Sequence, residues 1–218
     1  MDWLVWQLAD SGFPTGSFAH SLGLEAAWQQ GEADEGSLPA FLRDAIAQAG
    51  RAALPFVTSA YLAPDDLEQT DHRCDAFIRN VVANRASRVQ GRAWLATVER
   101  SFPTAEVRRL GELARSRSIA RHYAPVFGAT LRALGVDLTT AQRLFLFGAC
   151  RGIAAAAVRL GLAGATAAQR LIAESAEHAE STRARSAGLL ADDAAQTAPL
   201  IDLWQAAQDR LYSRLFES

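Results

Sequence analysis

Lysine is absent from this 218-residue chain: all 22 of its basic residues are arginine. That removes Schiff-base chemistry, a phosphate-loop lysine and a lysine general base, since arginine stays protonated and cannot take those roles. Cysteine is nearly absent too. Cys74 and Cys150 lie too far apart for a CxxC motif and are too few for a disulfide framework, so both read as reduced thiols. No alternating run of β-branched residues suggests a sheet. No apolar run is long enough and clean enough to span a membrane, because the most apolar one is broken by Arg143, Arg151 and Arg159. The opening MDWLVWQLAD lacks the basic region of a signal peptide, which predicts a cytoplasmic protein. Neither nucleic acid nor membrane is expected as a partner.

What remains is alanine-rich and 50% hydrophobic, with five Trp and ten Phe to pack against the small side chains. Helical spacing runs through almost every segment, so the expectation is an all-α fold: one domain over residues 1–218, a bundle of about ten helices. The predicted helices cover 2–9, 20–30, 37–62, 66–83, 86–101, 104–117, 122–134, 139–161, 165–188 and 197–212. Residues 139–161 are apolar on most of their surface and should form the central helix, with Gly148 and Gly152 as a small-residue step for a close neighbour. Pro55, inside a helical run, predicts a kink, and Pro64 predicts the first turn of a helix with acidic residues behind it. Thr104 is placed to cap the helix after Pro103, and Gly135 to end one before Asp137 starts the next. Charge is uneven: residues 111–171 hold eight Arg against only Glu112 and Asp137.

Asp10 to Glu25, DSGFPTGSFAHSLGLE, is the most site-like stretch. Pro14 and Gly16 shape the approach to a helix expected to start near Ser17, with His20, Leu24 and Trp28 on one face and Ser21 and Glu25 on its flank. On such a helix His20 and Glu25 diverge by about 140° and form no acid/base pair. Arg85, Arg88 and Arg92 make a basic stripe suited to carboxylate or phosphate on a partner, and Glu99 extends the same side. Gly91 in that helix implies a close contact. His72 and Cys74, between Asp71 and Asp75, would point apart on a helix, and His178 sits among Glu174, Glu177 and Glu180 on a charged face. His122 and Tyr123 should fix a helix start at Pro125. The C-terminal RLYSRLFES pairs Leu211 with Leu215 and Tyr212 with Phe216 at four-residue spacing, accompanied by Arg210 and Arg214. Its apolar groups either fold back on their own domain or order on a partner, so residues 211–218 are expected to be a partner-dependent tail. No catalytic residue, cofactor site or metal cluster emerges.

Pro14, Gly16, Phe18, His20, Ser21, Gly23, Leu24 and Glu25, then SRVQGR from Ser87, APVFG from Ala124, RGIAAAAVRLGL from Arg151, AAQ from Ala167 and SRLFES from Ser213, occur in one collinear order. Together they resemble the urease accessory protein family UreF across nearly the whole chain. Phe13, Thr15 and Glu217 depart from the residues usual in that family. The resemblance implies an all-helical, homodimeric chaperone with no reaction of its own. It would join the accessory protein UreD (also UreH), recruit the GTPase UreG, and help deliver nickel to apo-urease. The expected partner-binding residues are His20, Ser21, Glu25, Arg85, Arg88, Arg92, Tyr212, Arg214, Leu215 and Phe216. Two alternatives stand beside this: modulation of GTP hydrolysis by an inserted Arg88, Arg92 or Arg214, and, less favoured, nickel binding by the chain itself.

Overall fold

The structure, a computed structural model, describes residues 2–14, 20–116 and 119–217. Helix is the only regular structure among them, so the fold is all-α. The chain runs through α1 (Asp2–Ala9), α2 (Leu24–Gln29), α3 (Leu38–Gln48), α4 (Leu54–Leu62), α5 (Leu67–Phe77), α6 (Val81–Ser101) and α7 (Ala105–Ser116). It continues through α8 (Tyr123–Ala133), α9 (Leu138–Arg159), α10 (Ala165–Glu174), α11 (Ala176–Ser186) and α12 (Pro199–Ala207).

Local chemistry sets these boundaries. Asp137 accepts the Thr140 amide at 2.9 Å to start α9, and Thr104 accepts the Val107 amide at 3.2 Å to start α7. The kink expected at Pro55 takes the form of a π-turn, Ala49–Ala53, joining α3 to α4. Pro55 has no N–H for the Arg51 carbonyl four residues back, and that carbonyl accepts the Ala195 amide at 3.0 Å instead. Several other expected helices are divided or shortened, the run over 197–212 ending at Ala207 among them. The run expected over 66–83 stops at Phe77, because Asn80 turns its side-chain oxygen onto the Val82 and Ala83 amides and starts α6 at Val81. The run expected over 165–188 breaks at Ser175, whose hydroxyl donates to the Leu171 carbonyl at 2.8 Å. The helix expected from Ser17 begins only at Leu24, and Ser17 itself lies outside the described residues.

Two apolar clusters form the core, and α9 belongs to both. Its Leu144, Phe145 and Leu146 pack with Phe56, Trp94 and Phe127 from α4, α6 and α8. One and a half turns on, Cys150, Ile153, Ala156 and Ala157 pack with Leu24, Leu42, Ile46 and the C-terminal Phe216. By length and composition α9 is the one described helix that could cross a membrane, yet 56% of its most apolar window is buried inside the protein. The close helix approach expected at Gly148 and Gly152 is not there: nothing lies within 4 Å of a Cβ at either position. It occurs at Gly128 of α8, where a Cβ would collide with the Val57 carbonyl of α4. Gly91 meets its expected close contact, against the backbone of Arg121 to Tyr123.

Candidate partner-docking site

The N-terminal motif does not present a helix face. His20 and Ser21 precede α2, and the chain turns through left-handed geometry at Leu22 (φ 55°) and Gly23 (φ 86°) before Leu24. Gly23 suits that conformation, and a Cβ there would also press on the Gln205 amide of α12. His20 and Glu25 therefore share no helix, and the helical angle between them does not describe their relation. His20 is buried, and burial lowers its pKa below the ordinary imidazole value.

Glu25 is the centre of the arrangement. Its side chain is 1% exposed, and three donors from the far end of the chain converge on it. Gln208 Nε2 reaches one oxygen at 2.5 Å, the Leu215 amide reaches the other at 2.7 Å, and the Phe216 amide adds a bond at 3.1 Å. A buried carboxylate satisfied by N–H donors is a strong, directional clamp. Ser21 Oγ accepts the Glu25 amide at 3.4 Å and so supports it from behind.

Further contacts fix the tail. The Arg159 guanidinium sits 4.1 Å from the Phe216 ring centroid and donates to the Leu215 carbonyl at 3.0 Å. Gln208 Nε2 also reaches the Phe216 carbonyl at 3.2 Å, and Gln29 Nε2 reaches the Ser213 carbonyl at 2.9 Å. Phe216 is 5% exposed as a result. The helical pairing expected for Tyr212 with Phe216 is absent. After α12 the chain makes one 3₁₀ turn, Gln208–Arg210, and goes extended at Leu211 (ψ 139°). A continued helix would occupy the Leu215 and Phe216 amides that Glu25 captures. Tyr212 consequently points fully into solvent, and Leu215 is exposed beside it.

Asp209 ties this tail to the basic stripe. Arg85 grips it with two bonds, at 2.8 and 3.1 Å, while Arg214 donates to the same carboxylate at 3.0 Å. The paired Arg85, foremost, holds the Asp209 carboxyl below its usual range. Arg88 and Arg92 lie further along α6, exposed and without an ion pair among the described residues. Glu99 does not extend the stripe; it pairs across to Arg115 of α7 at 2.7 Å.

Beneath the stripe, α6 is pinned by a polar cluster. Ser87 Oγ lies 3.1 Å from His122 Nδ1, and His122 Nε2 lies 3.0 Å from Asp75 Oδ1. Hydrogen bonds from Asn84 and His122 hold the Asp75 carboxyl below its usual range. The buried Asp71 accepts the backbone amides of Ala120, Arg121 and His122, fixing the start of α8. Asp71 and Asp75 are thus committed to hydrogen bonds, and burial pushes the Cys74 thiol well up. His122 does fix a helix start, as expected. Missed from sequence were Gln29, Gln208 and Asp209, whose only signal was their polarity; Arg159, which the sequence marks as a charge needing a partner on the apolar central helix, finds it in the Leu215 carbonyl and the Phe216 ring.

Among the sequence-predicted residues the fold therefore gathers Ser21, Glu25, Arg85, Arg214, Leu215 and Phe216 around residues 208–216, and leaves Arg88 and Arg92 as a separate exposed row. This is an all-helical protein distinguished by a C-terminal segment clamped on a buried carboxylate beside a line of arginines. The sequence model of the UreF family matches residues 32–176. Urease accessory protein F of Oryza sativa subsp. japonica is 36% identical over 221 residues, 98% of this chain and 84% of the relative. Its counterpart in Arabidopsis thaliana is also 36% identical, over 99% of this chain and 92% of the relative. Urease accessory protein UreF of Arthrobacter sp. (strain FB24) is 29% identical over 97% and 95%. The chain belongs to the UreF family of urease accessory proteins, and its role lies in urease maturation.

Proposed function

We propose that this chain acts in urease maturation as a single-domain, homodimeric, cytoplasmic adaptor. With a UreD/UreH-type accessory protein it recruits the GTPase UreG, and the assembly inserts nickel, as cargo, into apo-urease. The observation that carries the reading is the convergence of the N-terminal motif, the start of α6 and the tail on residues 208–216. Tyr212, Arg214 and Leu215 are the exposed contacts offered to the UreD/UreH partner, while Ser21, Glu25 and Phe216 set their position. The motif around His20 is assigned to the GTPase side. Deleting residues 211–218 should abolish capture of the purified UreD/UreH partner with the helical content kept; undiminished capture would remove this assignment.

A second reading is that an arginine enters the GTPase site during hydrolysis. Arg214 is held by Asp209, so the arginines free for that role are Arg88 and Arg92. Single-turnover GTP hydrolysis by UreG should then slow when either becomes Ala while the complex persists. Equal loss of hydrolysis and binding would leave plain recruitment.

A further inference from the structure

The solvent face of α6 is not only basic. Where the α5–α6 turn meets α6, an open groove of about 430 Å³ is lined by Ile78, Val81 and Asn84 together with arginines at 79, 88 and 92. Val81 is 74% exposed, so an apolar side chain stands in solvent beside these arginines. Arg79, Arg88 and Arg92 make no ion pair among the described residues, although Arg88 is near enough to Asp75 to help depress its carboxyl. Arg85, in the middle of the row, already holds a carboxylate, that of Asp209.

Resting on the reading that this helix face docks a partner, we infer that the groove takes an acidic segment of a partner protein bearing one apolar side chain among its carboxylates. The Arg85–Asp209 pair is the same recognition made within the chain: a two-pronged guanidinium grip on an Asp. The apolar side chain lies over Val81 and Ile78, and flanking carboxylates meet Arg79 on one side and Arg88 and Arg92 on the other.

Spacing argues against a nucleotide phosphate as the occupant of the whole row. Arg85 to Arg92 spans about 10 Å along the helix axis at 1.5 Å per residue, and Arg79 extends the row further. A phosphate cluster gathers its cations around one point, whereas carboxylates strung along an extended segment, about 3.3 Å per residue, match cations strung along a helix. An apolar wall beside the cations also favours a peptide. A polypeptide supplies both charges and a methyl-bearing side chain, and the exposed Val81 gains burial only from the latter.

The test uses the full chain assembled with purified UreD/UreH-type protein and UreG. Val81→p-benzoylphenylalanine is photocross-linked in the complex, and mass spectrometry reads the attached segment. The expected segment is net acidic, with carboxylates on both sides of the captured residue. Its yield should fall about tenfold or more in an Arg88→Gln/Arg92→Gln background and on raising salt from about 50 to about 500 mM. Circular dichroism melts show that each variant is folded. Capture of a neutral or basic segment, or of an acidic one indifferent to both changes, overturns the inference while leaving the docking face standing. No cross-link from an intact assembly overturns the docking face and the inference together.

Discussion

Glu25 shows how one residue can join two ends of a chain. Three N–H donors from residues 208–216 meet its buried carboxylate, and charge-assisted bonds of this kind contribute about 1.5–3 kcal/mol each. Glu25→Ala should leave the Leu215 and Phe216 amides without an acceptor, raising their hydrogen-exchange rates about tenfold or more while the α4 and α8 amides keep theirs. Unchanged exchange at the tail would mean that Arg159 and Gln29 hold it without Glu25. The motif around Glu25 was legible in the sequence, but its role was not. The helical reading of residues 20–30 placed Glu25 on an outer flank, and nothing local announces that Leu22 and Gly23 go left-handed or that a hydrogen-bond donor waits 190 residues away. Glu180 carries the clearest pH effect. Bonds from Arg143 and Arg183 depress its carboxyl from 4.5 to about 2. A lowered folded-state pKa stabilises the fold above the unfolded value and loses that contribution as pH falls from about 4.5 toward about 2. The melting-temperature gap between the parent and Glu180→Gln should therefore be present at pH 7 and close across that window. It should be small, because the pair is exposed and screened.

At the scale of the element, apolar periodicity made most helices legible, and α1, α7, α8 and α9 fall within a residue or two of expectation. What periodicity could not place were interruptions decided by one side chain: Asn80 between α5 and α6, Ser175 between α10 and α11, and the end of α12. In each, a hydrogen bond outcompetes one more turn of helix, and its strength depends on tertiary geometry. Glycine spacing misled in the same way. A small-residue step marks where two helices could touch, and α9 carries one with no neighbour, while the real contact sits at Gly128. Gly128→Ala should force α4 and α8 apart and cost about 3 kcal/mol, at the upper end of overpacking penalties. Gly148→Ala meets no atom and should stabilise α9 by about 0.5–1 kcal/mol by removing glycine flexibility. Urea unfolding of the two variants checks both signs, and similar shifts in the same direction would contradict the packing described.

For the whole molecule, α9 couples the two apolar clusters, and the tail reaches the second cluster through Phe216. The exposed side chains Tyr212, Arg214 and Leu215 are consequently carried on a segment anchored in the core rather than on a loose end. If these side chains are the partner contacts proposed above, the core holds them in place before any partner arrives. The most direct measurement is size-exclusion chromatography with light scattering of the chain mixed with purified UreD/UreH-type protein and UreG, with and without a non-hydrolysable GTP analogue. The account predicts one co-eluting assembly containing all three proteins, with two copies of this chain, and loss of the UreD/UreH protein from that peak when residues 211–218 are removed. Separate elution of the intact chain from both accessory proteins, whatever the nucleotide, would contradict it.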